Sequence, residues 1–272
     1  MKKTFSLLAG SCLLAMTILP VSSCRKLDLL QSDPRNGKTD FKQCTITEIT
    51  NGIADGPDAA HRIMTYNNKR DPIVAEPASV GTGSPRWLFY YDKKGRLVTY
   101  AGVYNGGGFE FWHNYHYDNM DRIVSDSNYA FGAVGNLPGA FGWRHSQVTY
   151  DHLNRVVKED VTASPSEQVS PFTITYLYDA TGNLDGSSFA YDNKVNPYRT
   201  NKVWQFVFKD YSRNNRVLTG LFAPVPTYND FGLPVSLPNL RLPNFILFFL
   251  SSTGPAMDIT YACSPPKGPI NY

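Results

Sequence analysis

Charge is scarce in this chain and nearly balanced: of 272 residues only 18% are Asp, Glu, Lys or Arg, with 26 Lys+Arg against 23 Asp+Glu and a formal net charge of +3. So small and dispersed an excess gives a nucleic-acid backbone little to hold, and no nucleic-acid partner is expected. Long hydrophobic runs are missing too. The stretch Phe5–Leu19 is too short to span a bilayer comfortably as a helix, and Phe245–Leu250 is far too short. No Cys-x-x-Cys or closely spaced Cys/His set is present, which disfavours zinc. A Gly-x-Ser-x-Gly elbow, a phosphate loop and a His-Glu-x-x-His helix are likewise missing, so no catalytic residue, metal or cofactor is expected. What is abundant is Tyr (17), Phe (16), Gly (21) and Pro (19), in a chain 42% hydrophobic. That mix rules out a disordered tail, a collagen or a coiled coil, and it suits short strands and turns better than long helices.

The N-terminal end carries an address. Lys2 and Lys3 precede the uncharged run Phe5–Leu19, which reads as a secretory signal, and Cys12 inside it would be discarded. Val21-Ser22-Ser23-Cys24 then resembles the lipobox of bacterial lipoproteins, an aliphatic residue, two small residues and the cysteine that becomes the mature terminus. By that resemblance residues 1–23 are a signal peptide, and Cys24 is thioether-linked to diacylglycerol and acylated on its amine, a stable anchor. Residues 24–40 are polar and without apolar period, a tether; residues 41–272 form a single β-meander domain. The expected place is the cell envelope, as a lipoprotein of the outer membrane. Arg25-Lys26-Leu27-Asp28 lacks the acidic cluster that resembles a surface-export signal, which leaves the side of the membrane open. Cys44 and Cys263 remain in a compartment that permits oxidation, either as a disulfide tying one end of the domain to the other or as two separate buried thiols.

An internal repeat organises the rest. Tyr91-Asp92-Lys93-Lys94-Gly95-Arg96-Leu97 recurs as Tyr117-Asp118-Asn119-Met120-Asp121-Arg122-Ile123, Tyr150-Asp151-His152-Leu153-Asn154-Arg155-Val156 and Tyr178-Asp179-Ala180-Thr181-Gly182-Asn183-Leu184. Weaker copies start at Tyr66, Tyr211 and Tyr228, the last with Asn229 in second place. The second position is always Asp, Asn or Ser, whose short side chains accept backbone N–H bonds and open a type I turn. The fifth is Gly, Asp or Asn, which tolerate positive φ, except for Arg in one weak copy. A type I turn followed by a left-handed residue is a hairpin connection, so each motif is expected to be a hairpin tip, with Asp92, Asp118, Asp151, Asp179 and Asn229 as turn-capping residues.

Spacings of roughly 25 to 33 residues leave room for two strands and one opposite turn between most tips. The expected fold is therefore all-β: an up-and-down antiparallel meander of about 12–14 strands in one curled, half-open or barrel-like sheet. Phe109, Phe111, His113, Tyr115 and Tyr117 would share one face, as would Ile174, Tyr176 and Tyr178; Val203–Lys209 reads as another strand with Trp204, Phe206 and Phe208 together.

The Tyr-Asp-x-x-Gly-Arg-Leu motif is similar to the YD repeats of bacterial Rhs-type shells. With the lipobox and Tyr191-Asp192-Asn193-Lys194-Val195-Asn196-Pro197, nearly the whole mature chain resembles a Bacteroidota-type lipoprotein family of unknown function with a porin-like curled sheet. That resemblance implies no activity.

Chemistry beyond this is thin. His113 and His116 face opposite sides of a strand, which disfavours a shared metal, and the aligned Asp residues are explained by turn capping. Arg96, Arg122, Arg155 and Arg216 are expected to pair with the acids. The expected function is a lipid-anchored, non-enzymatic envelope protein that touches the membrane through its anchor and binds a ligand or partner, a glycan, small molecule or protein, through an aromatic face of the sheet. The alternatives are a structural or adhesive YD-repeat-like surface protein and an envelope hydrolase, which would need a convergent acid pair. Whether the chain fills its own aromatic face separates these readings.

Overall fold

Turn residues that recur after every second strand force the chain to double back on itself, and the architecture follows from that. The computed structural model describes residues 43–50, 61–185, 190–217, 225–237 and 257–264, all within the unit Ser32–Tyr272. The strands are β1 (Cys44–Thr50), β2 (Arg62–Tyr66), β3 (Pro72–Pro77), β4 (Arg86–Tyr91), β5 (Leu97–Val103), β6 (Gly108–Tyr117), β7 (Ile123–Ala133), β8 (Gly142–Tyr150), β9 (Val156–Ala163), β10 (Phe172–Thr175), β11 (Ala190–Val195), β12 (Asn214–Val217), β13 (Thr227–Tyr228), β14 (Pro234–Leu237) and β15 (Met257–Cys263). Thirteen of them form one antiparallel sheet in the order β10-β9-β8-β7-β6-β5-β4-β3-β2-β1-β15-β14-β13, open at both ends, and β11 pairs with β12 separately.

The chain is thus all-β and meandering from β1 to β10. The C-terminal strands then return to the other side of β1, where Cys44 lies opposite Cys263 and the two sulfurs are bonded. Cross-linking residues 219 positions apart closes a very long loop and restricts the unfolded chain accordingly.

Between β10 and β13 the chain leaves the sheet, and here the strand expected over Val203–Lys209 is corrected. Lys202–Val207 is a helix, α1. Asn196 accepts the Tyr198 N–H at 2.9 Å and Asn201 accepts the Val203 N–H at 2.7 Å, so two successive Asn caps wind the chain, first as a 3-10 turn over Pro197–Thr200 and then as α1. Val203, Trp204, Gln205 and Phe206 are all buried, as is Phe208 at the cap. A short helix buried on most sides needs no single apolar stripe, and the alternating aromatics imitate a strand period.

Two smaller corrections concern faces and tips. The register slips at Glu110, where Gly102 faces Phe111 but Val103 faces Phe109. This bulge sends Phe109 into a cluster with Ala101 and Val103 while Phe111 and Tyr115 stay with the main core. The copy at Tyr211 is no hairpin tip: its second half, Asn214–Val217, is strand β12, paired with β11.

Candidate functional site

Six tips share one construction. In each, the second residue's oxygen accepts two backbone N–H bonds: Asp92 from Lys94 and Arg96, both at 2.9 Å; Asp118 from Met120 and Arg122, both at 2.9 Å; Asp151 from Leu153 at 2.9 Å and Arg155 at 3.0 Å; Asp179 from Thr181 at 2.8 Å and Asn183 at 2.9 Å. Asn67 and Asn229 do the same in their tips. The fifth residue has positive φ throughout: Arg70 66°, Gly95 78°, Asp121 58°, Asn154 57°, Gly182 87° and Gly232 71°. The backbone N–H of Arg96 or Arg122, joined by that residue's guanidinium, holds the Asp92 or Asp118 carboxyl below the ordinary carboxylate value.

The arginines do more than pair. Each turns back on the Asp of its own tip, as Arg96 on Asp92, Arg122 on Asp118 and Arg155 on Asp151. Each also lies over the tyrosine of the next tip: Arg96 at 4.6 Å from the Tyr117 ring centroid, Arg122 at 5.2 Å from Tyr150 and Arg155 at 4.0 Å from Tyr178. Tyrosine hydroxyls reach back in turn, Tyr91 to the Pro72 carbonyl at 2.7 Å, Tyr117 to Leu97 at 2.7 Å and Tyr150 to Ile123 at 2.8 Å. Burial pushes these phenols above their ordinary value. Sequence reasoning missed this tip-to-tip clasp, although the fixed Arg and Tyr places signalled it. Arg216 departs from the pattern, bonding Asp210 at 3.0 Å deep in the fold.

The sheet's inner face is filled by the chain itself. Trp87 and Phe89 on β4 and Tyr115 on β6 meet α1 and its cap: Phe89 lies 5.5 Å from Trp204, Tyr115 5.2 Å from Phe206 and Trp87 6.5 Å from Phe208, centroid to centroid, and Tyr100 on β5 stacks on Phe89 at 4.9 Å. Further along this face His113 Nδ1 sits 2.9 Å from Asp126, and the Tyr176 hydroxyl donates to Glu159 at 2.5 Å. Both acids are buried and each is bonded to its own partner. Among the described residues no group of three or more His, Cys, Asp or Glu could hold a metal, and no helix is long and apolar enough to cross a membrane. Cys24 lies outside the described residues.

The outer face is different. Ala101, Trp112, Tyr129 and Trp143 stand directly opposite one another across β5, β6, β7 and β8; Ala101 is buried, Trp112 and Tyr129 are half-buried against its cluster together with Leu137 and Ala140, and Tyr90 stacks on Trp112 at 6.5 Å. Tyr90 and Trp143 are 47% and 42% exposed. The next rank in register is Thr99, Asn114, Ser127, His145 and Thr162. Asn114 accepts from both the Trp112 indole and the Thr99 hydroxyl, and Ser127 bonds His145. An aromatic rank and a hydroxyl-and-amide rank therefore run side by side across the strands, with no Asp, Glu, Lys or Arg in either.

Comparison with known proteins adds little to this geometry. No protein-family description matches the sequence, and no curated protein matches it. Among solved structures it is similar to a chain in the crystal structure of TcdB2-TccC3-TEV, at 10% identity and a TM-score of 0.24, over 75% of this chain and 10% of that one. This chain spans about a tenth of that chain's length.

Proposed function

We propose that the protein is a lipid-anchored component of the cell envelope that binds a carbohydrate across the outer-face aromatic rank, without a catalytic step of its own. The carrying observation is the register of Trp112, Tyr129 and Trp143 on three adjacent strands, with Trp143 and Tyr90 standing open to solvent. Strands lie about 4.8 Å apart, so the rings form a stepped platform across the sheet. A sugar presents an apolar C–H face and a hydroxyl edge, which suit such a platform and the neighbouring hydroxyl and amide rank. The lack of formal charge in both ranks favours a neutral chain over an acidic one. Anchoring rests on the Val21-Ser22-Ser23-Cys24 segment. The inner aromatic face, packed against α1, is left out of this reading.

Affinity electrophoresis through gels holding neutral polysaccharides tests the binding. The wild type should be retarded by at least one of them, and Trp143→Ala should run free. Retardation that Trp143→Ala leaves unchanged would remove the outer rank from the account. A structural or adhesive role is the second reading, favoured by the clasp in which each of three successive tips grips the next tyrosine.

A further inference from the structure

We infer that the pair of hairpin tips following β2 and β4, beside β1 on the tip edge, is a docking surface for anionic lipid headgroups, which would lay that edge against the membrane holding the anchor. The inference rests on the lipid-anchored reading above. β1 runs antiparallel to β2, with Ile49 opposite Arg62, and the Tyr66 hydroxyl donates to the Ile46 carbonyl. The start of β1 therefore lies at the tip edge, beside the tip that follows Tyr66. Eighteen residues separate Cys24 from Gln43 in the sequence, and a chain of that length spans at most about 65 Å. An acylated Cys24 would thus keep these tips within short reach of the bilayer, where a tethered contact acts at high effective concentration.

The charge on these tips suits the surface. The first two tips carry Lys69, Arg70, Lys93 and Lys94, none of which forms an ion pair among the described residues. Lys69, Lys93 and Lys94 are exposed. A Cβ added at Gly95 would lie 3.1 Å from the Lys69 amine, so the cations of the two tips share one patch. Their acids are already engaged or withdrawn, Asp92 in its pair with Arg96 and Asp71 by burial. Farther along, Asp118 and Asp151 each face their own arginine, and Arg213 and Arg155 lie against the tip of Asp179 at Gly182. The cations of this edge that face no acid are thus gathered in the two tips that follow β2 and β4, and beyond β1 and β15 the tip between β13 and β14 carries the exposed Asp230. A basic residue close to an anionic surface changes partitioning by about fivefold.

The full-length acylated protein would be reconstituted into vesicles of phosphatidylcholine, alone or mixed with phosphatidylglycerol, carrying a headgroup-bound quencher. A fluorophore is placed on Asn68→Cys in the first tip or on Asn105→Cys at the opposite edge, both exposed positions. The Asn68 label should be quenched severalfold more on the anionic vesicles than on the neutral ones, the Asn105 label should not respond, and Lys69→Glu/Lys93→Glu/Lys94→Glu should abolish the difference. Equal quenching at the two sites, or no dependence on phosphatidylglycerol, overturns the inference. Flotation with the neutral vesicles reports the anchor separately: protein that stays behind there contradicts the lipid-anchored reading, while the tip label on anionic vesicles still decides the docking surface.

Discussion

Arg96 lies 4.6 Å from the ring centroid of Tyr117 while the Tyr117 hydroxyl donates to the carbonyl of Leu97, the residue after that arginine. One tip therefore holds the tyrosine of the next by its face and by its end. The same clasp joins Arg122 to Tyr150. Arg155 covers Tyr178 most closely, and a double-mutant cycle over Arg155→Ala and Tyr178→Leu should return a coupling of about 1 kcal/mol. Additive losses of urea stability would show that the ring and the cation are neighbours without being partners.

The fifth tip position makes a contrast. At Gly182, with φ of 87°, a Cβ would lie 2.8 Å from Arg213 Cδ, whereas Asn154 already accepts φ of 57°. Gly182→Val should cost about 1–2 kcal/mol or more, since the left-handed region crowds Cβ. Asn154→Gly should be neutral or mildly stabilising. Equal denaturation midpoints for the two variants would contradict this account of the tips.

Acid and alkali should weaken the fold from opposite sides. Asp92 and Asp118 have folded values below the ordinary 3.8. Their contribution is therefore complete above that value and is lost as pH falls through the lower folded one. Burial raises the phenols of Tyr91, Tyr117 and Tyr150 above the ordinary 10.0. Stability is then present below that value and falls as pH climbs past it. Carboxyl resonances of Asp92 and Asp118 that titrate at the ordinary value, or phenolate absorbance appearing in advance of alkaline unfolding, would refute the assignment.

The Cys44–Cys263 bond joins β1 to β15 at the seam where the two ends of the chain meet. Replacing both cysteines with alanine should lower the urea midpoint by the equivalent of about 2–4 kcal/mol. A stability indistinguishable from wild type would mean that the β1–β15 ladder holds the seam unaided.

Much of the sheet was legible because its turns are written in residue chemistry. The Asp or Asn at position two and, in five of the six tips, the Gly, Asp or Asn at position five identify a hairpin tip without any knowledge of packing; Arg70 takes the fifth place in the other. The copy at Tyr211 carries Ser212 and Asn215 in the corresponding places, yet Ser212 caps no tip and its oxygen instead accepts the Leu184 N–H. There a tertiary contact overrides the local signal. The helix at Lys202–Val207 escaped notice because its burial erased the periodicity that betrays helices, and only the caps Asn196 and Asn201 announced it. The clasp, the filling of the inner face and the outer aromatic rank depend on which strands become neighbours, and on a bulge at Glu110 that no residue type dictates.

The outer aromatic rank is the centre of the functional account, and tryptophan quenching tests it most directly. Trp87 and Trp204 are buried in the inner core, whereas Trp112 and Trp143 stand on the outer face, so a soluble quencher reads the outer pair selectively. Saturation with the polysaccharide that retards the protein should shield this fluorescence from the quencher, and Trp143→Ala should weaken the titration on the order of tenfold. Quencher access that stays unchanged at saturation would place binding elsewhere and contradict the account.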